Sequence, residues 1–206
     1  MNIEEIISRR SIQEVLHFTT QQGLTGILHE RLVKARNQLL DTESLEFILK
    51  INTRNVYDPN WKGFVNLSIS RINRTLFGIS ENWHPDVHWR VLAFDPEILK
   101  HDGVQFVTTN NAYWQHLSRG DGPDGLEKLF DGRVLGKYGA PIDRTPDMPL
   151  HWTTDVQAEV LYPIELPTMY LTAIYIRTQE ESDAVAATMA ALGHDTVPIL
   201  IDQGYF

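Results

Sequence analysis

Apolar side chains recur at helical spacing in several parts of the chain. Near the start, Ile3, Ile6 and Ile7 fall on one face and predict a short helix over residues 3–10. Gly193 is typical of the position just beyond a helix end, so we expect it to close the last helix. The other helices that this spacing predicts cover residues 21–32, 42–51 and 178–192.

Alternating apolar and polar residues predict strands between these helices. In the run 64–70, Asn66, Ser68 and Ser70 alternate with apolar residues and share one polar face. Strands and helices do not alternate regularly, which argues against a doubly wound parallel sheet. We therefore predict one α+β domain over residues 1–206, with mixed or antiparallel strands. The other predicted strands lie at residues 14–19, 89–94, 104–108, 156–162, 169–176 and 197–201.

Two stretches between these strands have weaker patterns. Residues 111–117 have apolar spacing compatible with a helix. Residues 119–149 are rich in glycine, aspartate and proline, which is typical of irregular structure. We expect a helical turn or two around Leu126 and Phe130 to interrupt that stretch.

The bulk composition is that of an ordinary folded protein. Of 206 residues, 42% are hydrophobic and 22% are charged, so the chain can bury a sizeable core. No apolar run is long enough to cross a bilayer, and the first residues lack the features of a signal peptide. The absence of cysteine excludes disulfides and a cysteine nucleophile. We expect a cytoplasmic protein that does not associate with membranes.

The charge balance bears on nucleic-acid binding. A formal net charge of −9 argues against a surface that coats nucleic acid broadly. A local basic groove remains compatible with that charge, so particular residues must carry any such binding.

The first predicted strand carries two polar side chains within an apolar run. His17 and Thr19 are two residues apart, so alternation places them on the same side of the strand. Such a pair can hydrogen-bond a ribose or an amide. A buried histidine that bonds a backbone carbonyl is the alternative interpretation.

A carboxylate in the strand 156–162 is the sharpest chemical feature. Glu159 lies between apolar neighbours, where a charge is costly unless something pairs with it or uses it. Alternation places Gln157 on the same side. A fixed carboxylate can bond a ribose hydroxyl and stabilise the oxocarbenium-like sugar that forms when a glycosidic bond breaks. A solvated strand face is the alternative interpretation for the pair.

Other candidates have weaker signals. Arg54 could bind a diphosphate through two parallel hydrogen bonds, and Phe77 could stack on a flat ring, although a surface arginine and a core aromatic are common. Gly26 would let a ligand approach the backbone. The eight histidines form no recognisable ligand set, so we expect no metal.

Together these segments resemble the DarT family, bacterial toxins that attach ADP-ribose from NAD to bases of single-stranded DNA. The resemblance covers most of the chain in order, although residues 95–150 match poorly. Each motif is short, and their order and spacing are the specific part. The matching segments are Leu16–Thr19, the helix with Gly23 and Gly26, Arg54, Val65–Ser70, Arg74–Phe77, Gln157–Leu161 and the final Tyr205–Phe206.

The resemblance implies an ADP-ribosyltransferase fold, a split and mostly antiparallel β-core with peripheral helices that binds NAD. NAD would be consumed as a co-substrate, with nicotinamide released and a thymine or guanine modified. The family also implies a macrodomain antitoxin of the DarG type. By position, Glu159 and Arg54 would be catalytic and Gln157 would contact the acceptor. The residues implied to bind NAD are His17, Thr19, Gly26, Arg54, Ser68 and Phe77.

Two other functions remain open on the residues alone. Gln-x-Glu also occurs in transferases that modify protein side chains, so the target could be RNA or protein. A module that binds NAD or nucleic acid without turnover would carry many of the same residues. Release of nicotinamide distinguishes the enzymes from such a module.

Overall fold

The computed structural model describes residues 1–39, 61–83, 85–113 and 115–206. Within these ranges the chain forms five α-helices and twelve strands. The helices are α1 (Ile3–Arg10), α2 (Gln21–Glu30), α3 (Arg74–Trp83), α4 (Gly122–Lys128) and α5 (Gln179–Leu192). The strands are β1 (Val15–Thr20), β2 (Leu32–Lys34), β3 (Phe64–Ile69), β4 (Trp89–Phe94), β5 (Gln105–Val107), β6 (Arg119–Gly120), β7 (Arg133–Leu135), β8 (Pro141–Asp143), β9 (Glu159–Pro163), β10 (Glu165–Pro167), β11 (Leu171–Ile176) and β12 (Ile199–Ile201).

Eight of the strands described form one sheet, in the order β12-β11-β4-β1-β3-β9-β5-β6. β11 and β12 run parallel, and the other neighbouring strands of this sheet run antiparallel. The predicted α+β class with a mostly antiparallel β-core is therefore confirmed.

The sheet is split between β1 and β3. These strands pair at only two positions, Val15 with Ile69 and Leu16 with Ser68. On its other edge, β1 pairs with β4 at every position from Val15 to Thr20. β1 and β3 therefore separate from His17 onward, which leaves backbone groups of β3 available for other partners.

Each face of the sheet buries its own apolar cluster. The larger core contains residues from α1, α2, α4 and α5 and the side chains of β3 at Val65, Leu67 and Ile69. The smaller core lies on the other face, where Leu16 packs near the ring of Phe77 from α3. This two-sided burial follows from strand alternation, because successive side chains point to opposite faces.

Local sequence signals set several element ends. Asn2 and Glu5 form a capping box that starts α1, as each side chain bonds the other residue's backbone N–H. Gly193 ends α5 with φ of 60°, a left-handed conformation that suits glycine. The predicted helices at 3–10 and 178–192 are confirmed, and the one at 42–51 lies outside the residues described.

Three predictions about local structure were wrong. Residues 111–113 and 115–117 form turns and irregular backbone in place of a helix. The stretch 119–149, expected to be irregular apart from a helical turn or two, contains the hairpin of β7 and β8, while α4 confirms the helical turn expected around Leu126. The strand predicted from residue 156 begins at Glu159, because residues 155–158 form a turn closed by the N–H of Ala158 and the carbonyl of Asp155.

A buried arginine joins the sheet to two helices. Arg90 in β4 is 2% exposed, and its Nη1 lies 2.9 Å from Oε1 of Glu181 in α5. Its Nε donates to Oε1 of Gln21 in α2 at 3.0 Å. A buried guanidinium that loses its partner charge destabilises the fold, so Glu181 is needed there once Arg90 is present.

We expect Glu181→Gln to lower the free energy of unfolding by about 2–4 kcal/mol, because it leaves Arg90 buried without a countercharge. Urea denaturation measures the change. The neighbouring Glu180 is exposed, so Glu180→Gln is the matched control and should change stability by about 0.5 kcal/mol or less. Equal losses in the two variants would contradict the role of the buried ion pair.

Candidate active site

Glu159 is the first residue of β9, a strand between β3 and β5 in the sheet. It pairs with Val107 of β5 and lies next to the loop that follows β5, of which residues 108–113 and 115–118 are described. The side chain is half-buried. Gln157, predicted to share its strand, lies instead in the turn before β9.

Three N–H groups bond the Glu159 carboxylate. Oε2 accepts from the side-chain amide of Asn66 at 3.1 Å and from the backbone N–H of Asn111 at 3.0 Å. Oε1 accepts from the side-chain amide of Asn110 at 3.3 Å. The donors come from β3 and from the loop after β5, so the strand order and the loop path together assemble this site.

The surroundings of Glu159 alter its acidity. Burial raises the pKa of its carboxyl group to about 7, against the opposing effects of the bonds from Asn111 and Asn66 and the charge of Arg119. Arg119 in β6 donates to the side-chain oxygen of Asn111 and stacks over the Trp61 ring. Near neutral pH the carboxyl group is therefore able to accept or hold a proton, as a general base requires.

His17 is linked to Glu159 through Asn66. Nδ1 of His17 donates to the backbone carbonyl of Asn66 at 3.1 Å, while the Asn66 side chain donates to Glu159. Because β1 and β3 have separated there, the imidazole takes the place of a strand's backbone donor. Burial lowers the pKa of His17, so its ring is neutral near pH 7 and Nε2 is left as an acceptor.

The other predicted residues lie at different depths. Thr19 is 9% exposed and pairs with Arg90 across the β1–β4 ladder. Ser68 is half-buried in β3, opposite Leu16. Apart from its chain neighbours and the backbone of α2 itself, no atom comes within 4 Å of a Cβ placed on Gly26, so α2 is open to approach there.

Phe77 belongs to an aromatic cluster. Its ring is 2% exposed and lies 5.5 Å from that of Phe18 and 5.6 Å from that of Trp89, centroid to centroid. Stacking on a ligand would require this cluster to open, and that role stays a prediction. Arg54 lies outside the residues described.

Sequence reasoning missed the loop that encloses the carboxylate. Asn110 and Asn111 follow a short strand in a polar run with no periodicity, so no pattern marked them. Tyr113 of the same loop donates its hydroxyl to Oε1 of Gln157 at 3.2 Å. The only available signal was two adjacent amide side chains at a strand end, which is common in turns.

Metal-binding clusters and membrane-spanning helices are both absent from the described ranges. These ranges contain no group of three or more histidine, aspartate or glutamate residues that could hold a metal ion. Over the same ranges, no helix has both the length and the apolar character needed to cross a membrane.

Comparison with known proteins gives a family match. The model of a family described as "ssDNA thymidine ADP-ribosyltransferase, DarT" matches residues 16–206. No curated protein matches the chain.

Solved structures share the fold. A DarT from Thermus sp. 2.9 in complex with ADP-ribosylated ssDNA is similar with a TM-score of 0.63 at 16% identity, over 95% of this chain and 97% of that one. The same protein in complex with carba-NAD+ gives 0.65 at 15% identity, over 94% and 97%. A Thermosipho africanus DarTG in complex with ADP-ribose gives 0.54 at 16% identity, over 94% of this chain and 51% of that one.

The raised pKa of Glu159 predicts a pH-dependent stability. The folded protein holds this proton more tightly than the unfolded chain, so that contribution is complete at low pH and is lost as pH rises through about 7. We expect the stability of Glu159→Gln relative to the unsubstituted protein to increase by roughly 2–3 kcal/mol between about pH 5 and about pH 8. Urea denaturation at both pH values tests this.

The exposed Glu165 in β10 provides the control. Glu165→Gln removes the same charge from the protein without touching the site. A relative stability of Glu159→Gln that does not depend on pH would contradict a raised pKa at that position.

Proposed function

The chain belongs to the DarT family of single-stranded-DNA ADP-ribosyltransferases, and on that premise we propose that Glu159 is the catalytic residue with which it transfers ADP-ribose from NAD to thymidine. NAD is the donor and is consumed, and single-stranded DNA is the acceptor. The observation that carries the assignment is the geometry of Glu159, a carboxylate bonded by three N–H groups with a pKa of about 7.

The proposed reaction breaks the bond between nicotinamide and C1′ of the ribose. The bonding electron pair leaves with nicotinamide, and positive charge develops on the sugar, as it does in glycoside cleavage. The ionised carboxylate of Glu159 stabilises that charge and bonds a ribose hydroxyl.

Thymine supplies the nucleophile. Its ring nitrogen that is not attached to deoxyribose carries a proton, which must leave as the new C1′–N bond forms. The Glu159 carboxylate is suited to accept this proton near neutral pH. Gln157, two residues before it and bonded to Tyr113, is proposed to contact the base.

The NAD contacts are proposed from the family positions. The Asn66 carbonyl fixes Nδ1 of His17, so Nε2 is the acceptor available for a ribose hydroxyl. Thr19 and Ser68 would provide further hydroxyls, and the open backbone at Gly26 would allow close approach. Arg54 is proposed to bind the diphosphate or to assist catalysis.

The single-stranded DNA is proposed to pass over the tip of the β7–β8 hairpin. Tyr138 at this tip is 84% exposed, with φ of 59°. Nζ of Lys137 lies 5.0 Å from the centroid of the Tyr138 ring and 5.9 Å from that of Tyr113, which in turn bonds Gln157. An exposed ring beside a cation is suited to a nucleobase and its phosphate.

Three further proposals follow from the family. The partner is an antitoxin of the DarG type, in keeping with the DarTG from Thermosipho africanus. A cytoplasmic location follows, because NAD and DNA are found there. Residues 1–206 are proposed to act as a single domain. In support of this, one sheet contains both the first strand of the chain, β1, and the last, β12.

The direct test incubates the protein with NAD and single-stranded oligonucleotides that contain or lack thymidine. We expect an ADP-ribose adduct by mass spectrometry on the thymidine-containing strand alone, with equimolar nicotinamide released. Glu159→Gln should reduce the rate by about 1,000-fold or more while Glu165→Gln retains it. RNA and protein are offered in parallel reactions, and adducts on either of them in the absence of a DNA adduct would contradict DNA as the acceptor. NAD binding without release of nicotinamide would contradict an enzymatic function.

The activity should also depend on pH. Because Glu159 must be ionised, kcat/KM for NAD is expected to rise about tenfold per pH unit and to level off above about pH 7. Initial rates of nicotinamide release across the pH range measure this. A profile that is flat from about pH 5 to about pH 8 would contradict a Glu159 carboxylate as the essential base.

We expect Tyr138→Ala to raise the KM for the oligonucleotide by about 5- to 30-fold, because one base loses its stacking partner, while the KM for NAD changes little. Steady-state adduct formation gives both constants. Met169→Ala is the matched control, since that side chain is 79% exposed in the turn between β10 and β11. Similar effects of both substitutions would argue against DNA binding at the hairpin.

A further inference from the structure

A fully buried carboxylate lies near the half-buried Glu159 and has no part in the proposed reaction. Asp155 is 2% exposed and lies in the turn that precedes β9. Burying a carboxylate is costly unless hydrogen bonds satisfy it. The partners of Asp155 therefore show what this carboxylate holds in place.

Both oxygens of Asp155 accept hydrogen bonds from segments that flank the site. Oδ2 accepts from the hydroxyl of Thr109 at 2.6 Å, and Oδ1 accepts from the backbone N–H of Gln157 at 2.8 Å. Thr109 is 0% exposed, so its hydrogen bond is shielded from bulk water and strengthened by the low local dielectric. Asp155 thus joins the loop after β5 to the turn before β9.

These two segments carry the donors and the acceptor of the active site. Thr109 directly precedes Asn110 and Asn111, which supply two of the three N–H groups bonded to Glu159. The turn 155–158 directly precedes Glu159 itself. The Asp155–Thr109 hydrogen bond therefore links the loop that carries the two asparagine donors directly to the turn that leads into Glu159.

The surroundings of Asp155 resist displacement. The hydroxyl of Thr153 donates to the Asp155 backbone carbonyl at 2.7 Å, and Nη2 of Arg71 donates to the carbonyl of Thr153 at 2.8 Å. The β7–β8 hairpin covers the other side, where a Cβ on Gly136 would lie 2.6 Å from Cδ1 of Ile142 and 3.4 Å from Oδ2 of Asp155. A Cβ at this position would therefore require the end of the Ile142 side chain to move.

Several charged and titratable groups surround this arrangement. Arg119 on β6 acts on Glu159 directly, and His17 on β1 reaches it through Asn66. Arg71, after β3, acts on Asp155. A substitution that removes the Asp155–Thr109 hydrogen bond without changing any charge is therefore needed to isolate its effect.

We propose that Asp155 is a positioning residue, which holds the two asparagine donors against Glu159 by tying Thr109 to the turn before β9. The inference rests on Glu159 being the catalytic residue of the proposed function. In this proposal Asp155 and Thr109 affect the reaction through the hydrogen bonds to Glu159, without contacting the substrate.

Thr109→Val removes the hydroxyl at nearly constant volume and charge, and Thr109→Ser keeps it. We expect Thr109→Val to lower kcat about tenfold with the KM for NAD within about twofold, because the asparagine donors loosen. Thr109→Ser should restore kcat. Asp155→Asn, which replaces one accepting oxygen by a donor, should lower kcat at least as much.

A titration without NAD tests the geometry independently of turnover. With ¹³C-labelled glutamate carboxyl groups, and Glu159→Gln to assign the signal, the NMR midpoint of Glu159 should be higher in Thr109→Val by about half a pH unit or more. Thr154→Val is the control, since this buried hydroxyl in the same segment donates to the Asp131 carbonyl. It should lower Tm and leave kcat and the midpoint unchanged.

The outcomes separate the two proposals. A wild-type midpoint and wild-type kcat in Thr109→Val would overturn the positioning role, as would equal effects in Thr154→Val. An unsubstituted protein that forms no DNA adduct, whatever the titration shows, would overturn the proposed function instead.

Discussion

The hydrogen bonding of the half-buried Glu159 carboxylate is the interaction on which the rest of the site depends. Burial makes the charged form costly and raises the pKa to about 7, while the donors from Asn66 and Asn111 and the charge of Arg119 limit that rise. The balance keeps a carboxylate available near neutral pH in a place where it is shielded from water. In a more open site, water would weaken the hydrogen bonds to the carboxylate. In a more buried site without these donors, Glu159 would stay protonated near neutral pH.

The split between β1 and β3 makes this arrangement possible. Two paired positions hold the strands together, and beyond them the Asn66 carbonyl is bonded by the imidazole of His17. Asn66 then faces both components of the site, with its backbone toward His17 and its side chain toward Glu159. A continuous ladder would have paired that carbonyl with a backbone N–H, and the histidine would have had no place at this edge.

The loops around the carboxylate are ordered by packing and by buried hydrogen bonds, in spite of their irregular composition. Asp155 and Thr109 join two of these loops, and the hairpin of β7 and β8 packs over them. The tip of the same hairpin exposes Tyr138. The hairpin and these loops therefore connect the proposed DNA contact to the carboxylate proposed as catalytic, which suits a reaction that must align a base with an activated sugar.

The sequence by itself determined the elements whose signals are local. Hydrophobic patterning located α1, α2 and α5 and seven of the eight strands described in the large sheet, the exception being β6. An isolated charge among apolar residues marked Glu159. The histidine on the first strand was marked in the same way. What only the tertiary structure decided was the partner of each of these groups. Thr109, Asn110 and Asn111 are consecutive and lie far along the chain from Asp155. None of these residues follows a hydrophobic period, and their roles arise because β9 and the loop after β5 meet. A hydrogen bond between distant segments depends on distance and direction in three dimensions, and neither quantity is encoded in the spacing of residues along a strand.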